Sequence, residues 1–328
     1  MVVLSVNRKA HRLVERLIDD PEGYGVSVKV MANGATVIDA GVEVTGSLSA
    51  GRAATEICMG GLGEATIGVG SYGGVGLPTI TVRTDHPVIA LLACQLAGWK
   101  IQGGDGTYVY GSGPARALAE KPRKLLPNLL FEQLQYKDES DVAVAFLEPM
   151  GRRLPGEAEA GFIAANCNTK PGNVFMLAAS ASSLTGAVQI SGRVAEMGLY
   201  KLAQLGHDPL RVKSAIGTAP IAGGQPDEDR AMGICNDCIF LAGVTYYVTR
   251  SGEGEEVGEL VRDAPSGSSR NYGKPFYDTF VEAGRDFHKI DPALFSPASI
   301  TLNDMRTGRI ARGGNIDSEL LKRSLGIG

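Results

Sequence analysis

The stretch Val26-Ser-Val-Lys-Val-Met-Ala-Asn-Gly-Ala-Thr-Val-Ile-Asp-Ala40 sets the fold class. Its two β-branched runs, 26–30 and 35–40, flank Asn33-Gly34, the strongest short hairpin signal a sequence carries. Upstream, residues 4–18 place Val6, Ala10, Leu13, Val14 and Leu17 at helical spacing and stop before Pro21. Downstream, 51–59 reads as a helix halted by Gly60-Gly61, and 77–83 as a strand. Residues 87–98 read as an amphipathic helix closed by Gly98. The same alternation continues: strands at 141–147 and 173–178 enclose a helix with polar flanks over 149–170. Residues 189–206 form the most regular helical pattern of the chain. Late strands are expected at 239–250 and 299–312, the second a hairpin around Thr307-Gly308. Interleaved strands and helices imply an α/β class, or α+β with mixed sheets. A length of 328 residues suggests two domains or one large one. No repeat or low-complexity linker marks a boundary, so 1–328 reads as one unit of two interwoven α/β domains.

Composition narrows the function classes. A formal net charge of −4 leaves no basic surplus to neutralise phosphates, which argues against nucleic acid as a partner. Charge enters early, at Arg8 and Lys9, against a signal peptide. No run approaches the roughly 18 apolar residues that span a bilayer, so no membrane partner is expected and the cytoplasm is the expected location. Five scattered cysteines (Cys58, Cys94, Cys167, Cys235, Cys238) suit small buried thiols better than a disulfide framework.

Several motifs fail their own tests. Gly68-Val-Gly-Ser-Tyr-Gly73 matches G-x-G-x-x-G, but a loop and then a strand follow where a dinucleotide site needs a helix. Cys235-Asn-Asp-Cys238 lacks a second ligand pair for zinc, and it precedes an expected strand rather than opening a helix. The histidines (His11, His86, His207, His288) show no i, i+4 pair, and no G-x-S-x-G elbow is present. No metal site is therefore expected. Gly111-Ser-Gly-Pro-Ala-Arg-Ala-Leu118 is a glycine-rich turn before a helical pattern, with Arg116, Lys121, Arg123 and Lys124 beside or beyond it. An anion site and a plain helix start with Pro114 in its first turn fit it equally.

In 189–206, Gln189, Arg193, Glu196 and Tyr200 fall at i, i+4, i+7 and i+11, one narrow polar stripe on an otherwise apolar helix. A buried helix cannot leave that charge facing bulk water, so the stripe lines a pocket or pairs internally. On residue types alone, a structural Arg193–Glu196 ion pair is the first reading.

The stretch Ser191-Gly-Arg-Val-Ala-Glu-Met-Gly-Leu-Tyr-Lys-Leu202 resembles the central helix of the methenyltetrahydromethanopterin cyclohydrolases of methanogenic archaea and methylotrophic bacteria. Similar in the same order are Asn33-Gly-Ala-Thr-Val-Ile-Asp-Ala-Gly41, Glu56-Ile-Cys-Met-Gly-Gly-Leu62, Thr84-Asp-His-Pro87 and the Gly111–Ala117 stretch. Later come Gly217-Thr-Ala-Pro-Ile-Ala222, Asn236-Asp-Cys-Ile239, Tyr272-Gly-Lys-Pro-Phe276 and Phe287-His-Lys-Ile-Asp-Pro-Ala-Leu-Phe-Ser-Pro297. The likeness runs along essentially the whole chain. It departs at Gly233-Ile-Cys235, where the family pattern has Gly-Arg-Thr. The resemblance implies a two-domain α/β fold with a pocket between the domains, a homotrimer, and a pterin substrate with no cofactor and no metal. It implies reversible hydrolysis of the methenyl pterin to its formyl derivative. Arg193 and Glu196 are the implied catalytic pair, with Glu196 activating water and Arg193 orienting it. Substrate contacts are expected from Gln189, Tyr200, Gly111, Ser112, Gly113, Arg116, Asn236 and Asp237. The competing readings are a dehydrogenase–cyclohydrolase, which needs a nicotinamide site, and a pterin-binding or scaffold homologue with altered catalysis.

Overall fold

A computed structural model describes residues 4–104, 106–122, 131, 136–149, 151 and 153–327. It is a mixed α/β structure with two six-stranded sheets, and the chain divides into two compact units. Each unit is built from two separate segments: Met1–Glu64 with Val88–Gln189, and Ala65–Pro87 with Ile190–Gly328. Strands and helices are numbered along the whole chain.

In the first unit the sheet runs β1 (Ser27–Val30), β2 (Thr36–Gly41), β8 (Val174–Ala179), β7 (Ala143–Glu148), β6 (Tyr108–Ser112), β5 (Trp99–Gln102). The expected hairpin is present: β1 and β2 pair antiparallel, and Gly34 takes the left-handed conformation (φ 87°) at the turn. Strands β2, β8 and β7 are parallel neighbours, which explains their near-continuous apolar sequences. Alternate residues feed two cores. Val37, Ala145, Leu147 and Met176 join Trp99, Ile101 and α5 (Glu157–Cys167) on one side. Ile38, Phe146, Leu177 and Ala179 meet α1 (Val6–Asp19) and α3 (Leu48–Cys58) on the other. Each large apolar side chain buried this way contributes roughly 1.5–3 kcal/mol. The start of α1 is held by Asp138, whose carboxylate accepts the Val6 and Asn7 N–H groups and the Asn7 amide.

Three expectations need correcting here. The segment read as an amphipathic helix at 87–98 is a π-helix, Val88–Gln95, with all but one residue buried. A segment covered on every side carries no polar stripe to lay out, so its periodicity is uninformative. The helix expected over 149–170 is confined to Glu157–Cys167. The helical pattern after Gly113 amounts to the five residues of α4, Ala115–Ala119.

In the second unit the order is β12 (Ile310–Gly314), β11 (Ser299–Asp304), β10 (Val244–Thr249), β9 (Val212–Pro220), β4 (Val75–Thr84), β3 (Glu64–Tyr72). Strands β10 and β11 run parallel, while β10–β9, β11–β12 and β4–β9 pair antiparallel. The G-x-G-x-x-G match lies in β3 and the turn before β4, so its glycines serve a β-hairpin. The expected 299–312 hairpin forms β11–β12, with Gly308 left-handed at its turn. The strand expected at 239–250 begins only at Val244, because 239–242 close helix α8 (Glu228–Ala242). Ile239-Phe-Leu-Ala242 is buried throughout, and a short apolar run does not distinguish a buried helix end from a strand. Cys235 and Cys238 therefore lie inside a helix, buried and unbridged. Ile234 is likewise core. Among the described residues no helix is long and apolar enough to cross a membrane. None of their His, Cys, Asp and Glu side chains form a group that could hold a metal.

Candidate active site

The helix expected over 189–206 is two helices: α6 (Leu184–Ser191) and α7 (Val194–Gln204). Between them the chain turns at Gly192-Arg193, where the Arg193 N–H bonds the Ile190 carbonyl at 3.0 Å. Glycine is about 1 kcal/mol worse than alanine inside a helix, so Gly192 makes the interruption cheap. The passage from the first unit to the second falls here, at Gln189/Ile190. The expected four-residue stripe is thereby cut. Gln189 belongs to α6, Arg193 caps α7, and only Glu196 and Tyr200 share α7.

The break changes the electrostatics. Glu196 lies in the first turn of α7 rather than in mid-helix. There the unpaired N–H groups carry partial positive charge, which stabilises an anion by up to about 2 kcal/mol in partly buried geometry. Arg193 is 4% exposed and Glu196 3%. Burying charge at that level is costly without compensation.

Close backbone packing fixes this turn. A Cβ at Gly217 of β9 would lie 2.8 Å from Val194 Cγ1 and 3.0 Å from the Ala195 nitrogen. One at Gly243 would lie 3.0 Å from Val194 Cγ2. Glycine at both positions lets α7 sit directly on the sheet. Tyr247 of β10, fully buried, donates its hydroxyl to the Ala195 carbonyl at 2.7 Å. Burial, above all, raises the Tyr247 hydroxyl pKa, and the nearby Glu196 charge adds to it. No local pattern distinguishes Tyr247 from Tyr246, since both sit in one alternating β-branched strand.

Tyr200, one turn beyond Glu196, is half-buried. Burial first and the Glu196 charge second raise its pKa, while a side-chain hydrogen bond with Gln204 pulls it down.

The remaining candidates have these surroundings. In the first unit, Gln189 is fully buried and its amide donates to Cys58 Sγ at 3.5 Å, while Ser112 Oγ lies 3.9 Å from the same sulfur. Cys58 thus joins two residues that the sequence kept far apart. Gly111 is packed against Ile101, where a Cβ would come within 2.4 Å, and Gly113 is left-handed (φ 94°) and bonds the Cys94 carbonyl. Arg116 is 1% exposed, and its Nη1 donates to the carbonyls of Leu92, Ala93 and Cys94 at 2.9, 3.1 and 3.4 Å. Its Nη1 thus caps the C-terminal carbonyls of the π-helix. Arg123 and Lys124 lie outside the described residues.

In the second unit, Asn236 donates to the Met232 carbonyl one turn back. Asp237 is 1% exposed and accepts the Phe276 N–H at 2.9 Å and the Ser324 hydroxyl at 2.6 Å. It ties α8 to the start of α10 (Phe276–Glu282) and the end of α11 (Ser318–Leu325). Burial pushes its carboxyl up to about 7, against the lowering pull of both donors.

A full-length match accompanies this geometry. The family model described as "Cyclohydrolase (MCH)" matches residues 5–325. The chain belongs to this family. A methenyltetrahydromethanopterin cyclohydrolase of Methanothermobacter marburgensis is 44% identical over 99% of this chain and all of its own length. Enzymes of that name from Methanococcoides burtonii and Methanocaldococcus jannaschii are each 43% identical over 99% of both chains. This resemblance along the whole length, first read from short stretches around Ser191–Leu202, is thus a family relationship.

Proposed function

We propose that this protein hydrolyses methenyl-tetrahydromethanopterin reversibly to formyl-tetrahydromethanopterin, with Glu196 as the general base. The observation that carries the reading is a nearly fully buried glutamate in the first turn of α7, three residues after an equally buried arginine, in a chain of the cyclohydrolase family. The substrate supplies its own electrophile, a cationic amidinium carbon between two nitrogens. It needs a positioned water, a base and a place for the adduct, and no Lewis acid. Glu196 takes a proton as water attacks the methenyl carbon. One carbon–nitrogen bond of the neutral adduct then breaks, its hydroxyl proton is lost and the leaving nitrogen is protonated. Arg193 orients the Glu196 carboxylate and keeps it ionised in a dry site. A homotrimer and a cytoplasmic location belong to the same reading, and light scattering of the purified chain tests the first.

The test is loss of the methenyl-pterin absorbance with purified protein, beside Glu196→Gln and a metal chelator. Turnover that resists the chelator and falls about 10²–10⁴-fold in the variant is expected. Substrate binding without turnover in the wild type would instead identify a homologue with altered catalysis.

A further inference from the structure

The reaction proposed above does not balance within the site. A monocation and a neutral water become a neutral formyl product, so each forward turnover leaves one proton over. Adduct collapse moves a proton from oxygen to nitrogen and consumes none, so the surplus is the one Glu196 took from water. In the reverse direction the same group must be resupplied. Yet Glu196 is only 3% exposed before any ligand arrives, and bound substrate can only reduce that. A buried base that must exchange one proton with solvent per cycle needs a partner on the way out.

We propose that Tyr200 is the proton-relay residue that connects Glu196 to solvent along α7. The inference rests on the cyclohydrolase reading. Glu196, Tyr200 and Gln204 fall at i, i+4 and i+8, the spacing that stacks side chains along one helix face. Burial decreases along that line: Glu196 is buried, Tyr200 half-buried and Gln204 exposed. Tyr200 feels the Glu196 charge, and its hydroxyl is hydrogen-bonded by the Gln204 side chain, which holds the phenol in orientation. A phenol that stays protonated accepts a proton on oxygen while passing its own onward, so its charge is unchanged after each transfer. Tyr247, which also feels the Glu196 charge, cannot do this. It is fully buried and its hydroxyl is committed to the Ala195 carbonyl. Tyr200 is therefore the phenol of this pair with a route to water.

The experiment compares wild type and Tyr200→Phe on methenyl-tetrahydromethanopterin at low buffer and then with added imidazole. In the variant, kcat at low buffer is expected to fall about ten-fold or more, the scale of one lost proton-transfer group, with KM nearly unchanged. Imidazole, a small diffusible base, should restore it, while wild-type turnover stays insensitive to the additive. An unchanged kcat at low buffer would overturn the proposal. So would a loss that appears in KM and ignores imidazole, which would make the hydroxyl a substrate contact. Gln204→Leu, a surface change, provides a second variant if Tyr200→Phe folds poorly. It should show a smaller kcat loss with the same imidazole response, and no buffer response would again overturn the relay. A wild type without any turnover would sink the cyclohydrolase reading itself, an outcome distinct from a fully active Tyr200→Phe.

Discussion

Two carboxylates of the second unit are buried almost equally, Glu196 at 3% and Asp237 at 1% exposure, yet their surroundings differ in kind. Asp237 sits within α8 and accepts from a backbone N–H and a hydroxyl that belong to two other helices. Its bonds are distributed across the fold. Glu196 sits in the first turn of a helix capped by Arg193, and its charge acts on Tyr200. Burial alone therefore does not mark a catalytic acid. Under the proposed reading, Asp237 is held by scaffold donors, whereas Glu196 carries the proton that the reaction moves.

The sharpest way to break this contrast is to neutralise both groups and read rate and stability together. Glu196→Gln should lower kcat by about 10²–10⁴-fold, some 3–5 kcal/mol, while the thermal midpoint moves little. Asp237→Ala should do the reverse. It leaves the Phe276 N–H and the Ser324 hydroxyl buried without an acceptor, at about 1–3 kcal/mol in denaturant unfolding. Activity per folded molecule should persist. If Asp237→Ala lost turnover at unchanged stability, Asp237 would join the substrate contacts that the sequence suggested.

Asp237 also predicts a pH signature. Its carboxyl titrates near 7 when folded and near 3.9 when unfolded. Between those values the folded protein holds a proton that the unfolded chain has released. The stability it contributes is thus fully present below about pH 4 and is lost as pH rises through about 7. Unfolding measured from pH 5 to 8 should show that decline in the wild type and a flatter profile in Asp237→Asn. Equal slopes would show that another group dominates.

A smaller effect tests the seat of Glu196. In Gly217→Ala the new Cβ meets Val194 and the Ala195 nitrogen, so the first turn of α7 must shift. A displacement of that order should lower both, kcat by about ten-fold or more and stability by roughly 1–3 kcal/mol. A purely thermal defect would mean that the turn tolerates the shift. The smallest change is expected from Arg116→Lys. One guanidinium nitrogen, Nη1, meets all three carbonyls, and the shorter lysine chain does not place its ammonium there, so a stability loss of about 1 kcal/mol with unchanged KM is expected. A raised KM would return Arg116 to the substrate's anionic tail.

The sequence by itself determined a great deal where local pattern and burial agree. The hairpin at Asn33-Gly34, helix α1 and strands β4, β7 and β8 follow from turn chemistry and periodicity that need only neighbouring residues. The burial of Arg193 and Glu196 was legible too, because both stand inside an apolar pattern, but only the family resemblance pointed to a role for them. Tertiary structure decided the rest. It broke the helix at Gly192-Arg193 where the chain passes between units, a place where the apolar rhythm continues unchanged. It kept 239–242 helical and made Val88–Gln95 a buried π-helix, because segments covered on all sides lose the polar alternation that reveals their period. It also turned Arg116 and Asp237 inward onto carbonyls, an N–H and a hydroxyl that lie 22 to 87 positions away in the chain. Nothing in a local sequence window specifies such partners, since hydrogen-bond satisfaction is settled by what the finished fold brings within about 3 Å.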